Sequence, residues 1–159
     1  MILVLLGTQN NSFHRLLEEV EKNIKNKTIQ EEVIVQAGYT KFESKNMKII
    51  DLMSKEELAE YQDKASLIIT HGGVGSIISS IEKEKKVIAV PRKHEYGEHV
   101  NNHQIQIIKD FSDKGYIIGI ENVEDLHDAI IKSKTFEPVK YQPNNSKMLE
   151  IIENFIENI

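Results

Sequence analysis

The chain has 159 residues, enough for one domain with an ordinary hydrophobic core. With 40% hydrophobic and 28% charged residues and a formal net charge of -5, it has the balance of a soluble globular protein and lacks the basic block of a nucleic-acid binder. It contains no cysteine, which excludes a disulfide framework or thiolate metal site and suits the cytoplasm.

The opening run Met1-Ile2-Leu3-Val4-Leu5-Leu6 is too short to cross a bilayer, has no basic flank and stops at Gly7-Thr8. It reads as a buried strand over 2–6. Phe13, Leu16, Leu17, Val20 and Ile24 then fall on one helical stripe. Strands follow at 32–36, 47–50 and 67–69, and Val74, Ile77, Ile78 and Ile81 mark the next helix. A strand at 86–90 precedes a long polar loop and a helix start; another at 116–120 leads into the stripe Val123, Leu126, Ile130. Continuous Val/Ile/Leu runs are what strands covered on both faces require. The expected fold is α/β, a Rossmann-like parallel sheet with helices on both faces and right-handed crossovers, filling residues 1–134. Residues 135–146 hold two of the three prolines and read as a connector. Residues 147–159 carry Met148, Leu149, Ile152, Phe155, Ile156 and Ile159, the stripe of a last helix packed on the domain or on a partner.

In such sheets ligands lie beyond the carboxyl ends of the strands, so those loops carry the chemistry. The richest is Thr70-His71-Gly72-Gly73-Val74-Gly75-Ser76, a buried strand running into three glycines and then a helix. Glycines let backbone N–H groups approach an anion, and a helix start adds unpaired donors and positive dipole. That describes a diphosphate cradle with the Ser76 hydroxyl as an extra donor; a tight turn whose glycines only permit close packing fits the same residues. The spacing is neither the Rossmann dinucleotide fingerprint nor a P-loop.

The loop after 86–90 runs Pro91-Arg92-Lys93-His94-Glu95-Tyr96-Gly97-Glu98-His99-Val100-Asn101-Asn102-His103-Gln104. Its amides, carboxylates and imidazoles suit a polyhydroxylated ligand that needs donors and acceptors. His99 and His103, four apart with carboxylates nearby, are the rival reading as metal ligands, and a solvated polar face is the plain one. Gly7 and Thr8 border the same end of the sheet, with Asn11 or Ser12 placed to cap the next helix.

The Val4-Leu5-Leu6-Gly7-Thr8 opening, the Thr70–Ser76 turn, and Val90-Pro91-Arg92 followed by Glu98-His99 and Asn102-His103-Gln104 stand in order, each at a strand end. Together they resemble the donor-binding, C-terminal half of the MurG-type glycosyltransferases, the family 28 branch of the GT-B enzymes. Within it they are most similar to short bacterial exopolysaccharide transferases and to the catalytic subunit of the eukaryotic dolichol-linked N-acetylglucosaminyltransferase. The resemblance covers nearly the whole chain. It implies a UDP-sugar donor and no cofactor, with Gly7, Thr8, His71, Gly72, Gly73, Val74, Gly75, Ser76, Arg92, Asn102, His103 and Gln104 around the donor. Many relatives hold the ribose with a glutamate where this chain has Ser79.

A GT-B enzyme has two halves, and this chain has room for one. The resemblance therefore implies a membrane-anchored second subunit supplying the acceptor half, a polyprenyl-diphosphate-linked saccharide as acceptor, and recruitment to the inner face of the cell membrane. The expected activity is inverting, metal-independent hexosyl transfer, of galactose by preference, in exopolysaccharide or capsule synthesis, with Glu98 and His99 as candidate catalytic bases. A non-catalytic accessory subunit and a general nucleotide-binding module are the alternatives.

Overall fold

The computed structural model describes residues 1–8, 11–98 and 102–142. Six parallel strands form one sheet in the order β3-β2-β1-β4-β5-β6. They are β1 (Ile2–Leu5), β2 (Val33–Gln36), β3 (Lys48–Ile50), β4 (Leu67–His71), β5 (Val87–Val90) and β6 (Ile118–Gly119). All six coincide with strands expected from the sequence. The helices are α1 (His14–Lys25), α2 (Lys55–Lys64), α3 (Val74–Glu82), α4 (His103–Asp113) and α5 (Leu126–Ser133).

Alternation along the central strands splits the core into two layers. Ile2, Val4, Leu67 and Ile69 pack with Leu16, Leu17, Val20, Leu126 and Ile130 beneath α1 and α5. Leu3, Leu5 and Ile68 pack with Ile77, Ile81, Ile107, Ile108 and Phe111 beneath α3 and α4. Both faces of β1 and β4 are thus dry, which is why β1 and the first three residues of β4 are apolar without interruption.

Two expectations shift. The fourth strand runs two residues past 69, so Thr70 and His71 are strand residues paired with Ala89 and Val90 rather than part of the turn. The sixth is shorter than 116–120, because Gly115, at φ 79°, ends α4 and the Tyr116 N–H is still bonded to Phe111 O. Residues 135–142 lie back against the domain: Val139 N–H donates to Gly115 O at 2.9 Å, and Tyr141 meets Tyr116 edge-on at 5.7 Å. The helix expected at 147–159 lies outside the described residues. Among the described residues no helix is long and apolar enough to cross a membrane.

The strand order reverses direction between β1 and β4. There the loops leaving β1 and β4 go to opposite faces and leave a crevice at the carboxyl ends.

Candidate functional site

Three loops meet at that crevice: residues 6–8 and 11–13 after β1, Gly72 and Gly73 after β4, and residues 91–98 and 102 after β5. His71 stands at their centre, 6% exposed. Gly7, at φ 75°, leaves room for its ring: a Cβ there would lie 2.6 Å from His71 Nε2, and one on Gly73 would overlap the ring as well. A Cβ on Gly72 would sit 2.6 Å from Gln104 Cβ. Close packing therefore accounts for Gly7, Gly72 and Gly73. Gly75 differs, because a Cβ there would meet nothing within 4 Å.

Gly75 belongs to the first turn of α3, whose start has no side-chain cap and no acidic residue. The first intrahelical bond is from Ile77 N–H to Gly73 O at 3.1 Å. The N–H groups of Val74, Gly75 and Ser76 have no partner among the described residues. Gly75 is exposed and Ser76 half-buried. Three main-chain donors and the positive end of a helix thus stand together beside the exposed Gly75, an arrangement that favours an anion.

The loop after β5 has a different job from the one its composition suggests. Gln104, 2% exposed, accepts from Gly72 N–H at 3.2 Å and Arg92 N–H at 2.8 Å through the same Oε1. Its carbonyl oxygen clips two loops together. Arg92, 1% exposed, turns inward: its guanidinium donates to the carbonyls of Leu6 and Asn11 and stands 5.6 Å from the Phe13 ring. Burial pulls its pKa down to about 10, with the Glu98 charge opposing. Arg92 ties down the loop after β1. Asn102 Oδ1 accepts from His94 N–H at 2.9 Å, and its Nδ2 donates to Glu95 at 2.7 Å, so it too braces the loop.

Glu98 is held most tightly of these residues. It is 4% exposed and holds Arg15 with both oxygens, at 2.7 Å from Nε and 2.8 Å from NH2. The Lys93 N–H adds a third bond to Oε1 at 3.1 Å. That bonding raises the Arg15 pKa. Both oxygens of this carboxylate are thus engaged with one cation, and the pair braces the loop after β5 against α1. His99 lies outside the described residues, while His103 opens α4 and Thr8 is exposed beside Gly7. Ser79 donates to Ser76 O at 3.2 Å and accepts from Gln62 of α2 at 3.0 Å. Neither Asn11 nor Ser12 caps α1; the Phe13 N–H goes instead to Thr40 Oγ1 at 2.9 Å. Arg15 escaped the sequence reading because its partner lies 83 residues away and no local pattern links them.

A parallel sheet of this order with an uncapped, glycine-led helix at its switch point defines the Rossmann-like class that forms the C-terminal half of GT-B enzymes. The chain belongs to glycosyltransferase family 28: its residues 1–159 match the family's C-terminal domain. It is 33% identical over 63 residues to the human UDP-N-acetylglucosamine transferase subunit ALG13, covering 40% of this chain and 5% of that protein. The subunit of the same name from Candida albicans is 27% identical over 81 residues, 51% of this chain and 26% of the relative. The chain thus spans a small part of these relatives' length. The solution structure of ALG13 superposes with a TM-score of 0.60 at 18% identity, over 95% of this chain and 93% of that one. MurG from Acinetobacter baumannii superposes with a TM-score of 0.54 at 17% identity, over 98% of this chain and 49% of that one.

Proposed function

We propose that this chain is the donor-binding, catalytic subunit of a two-part glycosyltransferase that moves a hexose from a UDP-sugar to a lipid-linked acceptor. One observation carries the reading: the free amides of Val74, Gly75 and Ser76 at the open start of α3. A diphosphate seated there is bound by main-chain donors and the helix dipole, and the same groups strengthen as charge builds on the departing UDP. That stabilisation uses no metal. The acceptor oxygen attacks the anomeric carbon as the bond from that carbon to the β-phosphate oxygen breaks, inverting the centre, and the hydroxyl proton passes to a base. With Glu98 committed to Arg15, the base on this chain is His99 or else belongs to the partner.

Family membership and the relatives' description as transferase subunits support a heteromer; in this reading the second half is membrane-anchored and brings the site to the inner membrane face. We assign the product to exopolysaccharide or capsule synthesis, with galactose the first sugar to test. Calorimetric titration of the chain with UDP, UDP-sugars, NAD and ATP decides the nucleotide. Selective UDP binding is expected; binding of NAD or ATP instead would make the chain a general nucleotide module, and no heat with any of them an accessory subunit.

A further inference from the structure

Arg92, Lys93 and Glu98 are, histidine aside, the buried charged side chains among the described residues, and all three lie in the loop after β5. They do not balance. Both oxygens of Glu98 are taken by Arg15 of α1, with Lys93 N–H on Oε1 as well. Glu124 also acts on Arg15, but from an exposed position. The Lys93 ammonium donates to a neutral partner, the Asn122 amide oxygen, at 2.9 Å. The Arg92 guanidinium donates to the carbonyls of Leu6 and Asn11, and its Nε–H has no partner among the described residues. With a pKa of about 10 it stays cationic at neutral pH. A chain of net charge -5 thus buries an excess of positive charge in one place. Burying a cation without a carboxylate is costly, and an apolar side chain against Phe13 would fill the same space.

That place adjoins the crevice. Val90 pairs with His71 in the sheet, and the N–H groups of Arg92 and Gly72 share Gln104 Oε1 at 2.8 and 3.2 Å. Arg92 therefore leaves β5 beside the turn that opens α3. Its guanidinium sits behind Leu6, and the next residue, Gly7, packs on the same His71 ring as Gly73. From there no contact with a ligand is needed. Coulomb attraction carries over roughly 8–10 Å in physiological salt, and farther from a buried charge that ions screen poorly. We propose that this buried excess, Arg92 above all, sets a positive potential over the start of α3 and makes the chain prefer a nucleoside diphosphate to a monophosphate. This rests on the UDP-sugar reading above and adds to it. The amides of α3 supply hydrogen bonds, whereas the buried cations supply net charge, so the attraction grows with each phosphate.

The test is the ratio of UDP to uridine monophosphate affinity, measured by calorimetry on the parent and three variants. In Arg92→Met the ratio falls about fivefold, because the second phosphate loses more than the first. Arg92→Lys keeps most of the ratio, since it keeps the charge while losing the planar fork that meets two carbonyls. Glu98→Gln moves the other way. Its amide oxygen still accepts from Arg15 and Lys93 N–H, but the negative charge is gone, so UDP binds a few-fold tighter. A damaged fold cannot produce that gain, so this variant decides the matter even if Arg92→Met fails to fold. An unchanged ratio in Arg92→Met, an equal fall in Arg92→Lys, or weaker or unchanged UDP binding in Glu98→Gln would each overturn the proposal. Failure of UDP to bind the parent chain sinks the donor reading as well, and is visible before any variant is made.

Discussion

At the scale of single residues, glycines in one turn divide by what their missing Cβ leaves room for. Gly72 and Gly73 stand against Gln104 and His71, and Gly7 faces the same imidazole from the loop after β1. Gly75 faces nothing. Alanine at 75 would therefore fold, and in a helical position it should stabilise the chain by roughly 0.5–1 kcal/mol through the lower entropy of the unfolded state. The same methyl stands where a phosphate must approach α3, so UDP affinity should drop by about tenfold or more. Thermal melting and titration on one preparation check both. A rise in Tm without loss of UDP would show that the anion does not sit there. Buried charges carry a parallel lesson. Arg92, expected around the donor, and Glu98, expected as a base, are each bonded across the fold, Arg92 to the loop after β1 and Glu98 to Arg15 of α1.

At the scale of elements, the strands announced themselves because parallel strands covered on both faces must be apolar throughout. α2 did not, since Lys55-Glu56-Glu57-Leu58-Ala59-Glu60-Tyr61-Gln62-Asp63-Lys64 has too few apolar residues for a stripe. Its start is set by chemistry rather than by burial. Ser54 is extended and its Oγ accepts from Glu57 N–H at 3.1 Å, with Glu56 and Glu57 in the positive first turn and Lys64 in the last. Ser54→Ala should cost about 1 kcal/mol of stability, read by urea denaturation. Because the cap stands at the opposite end of α2 from Gln62, which reaches Ser79 of α3, UDP binding should stay within about twofold. α3 presents the contrast: with no cap of its own, its first amides stay available.

At the scale of the whole molecule, the reversal between β1 and β4 puts the open end of α3 in a crevice, and the braces between the three loops keep it there. The described residues form one side of such a crevice. We therefore expect the isolated chain to bind UDP-sugar but not to transfer to lipid acceptor, with turnover appearing on co-expression of a membrane-anchored acceptor half. Transfer by the isolated chain at a comparable rate would count against a two-part enzyme.

The fold class, six strands, three of the helices and the glycine-led turn were legible in the sequence, because each rests on local periodicity or on contacts between near neighbours. The roles within the site were not. Whether Gly75 or Gly73 opens to solvent, whether Arg92 faces a phosphate or a carbonyl, and whether Glu98 is a base or the anchor of Arg15 depend on partners tens of residues away. Only the closing of the sheet brings those partners together, since a side chain's charge is written in the chain but the groups that neutralise it are chosen by packing.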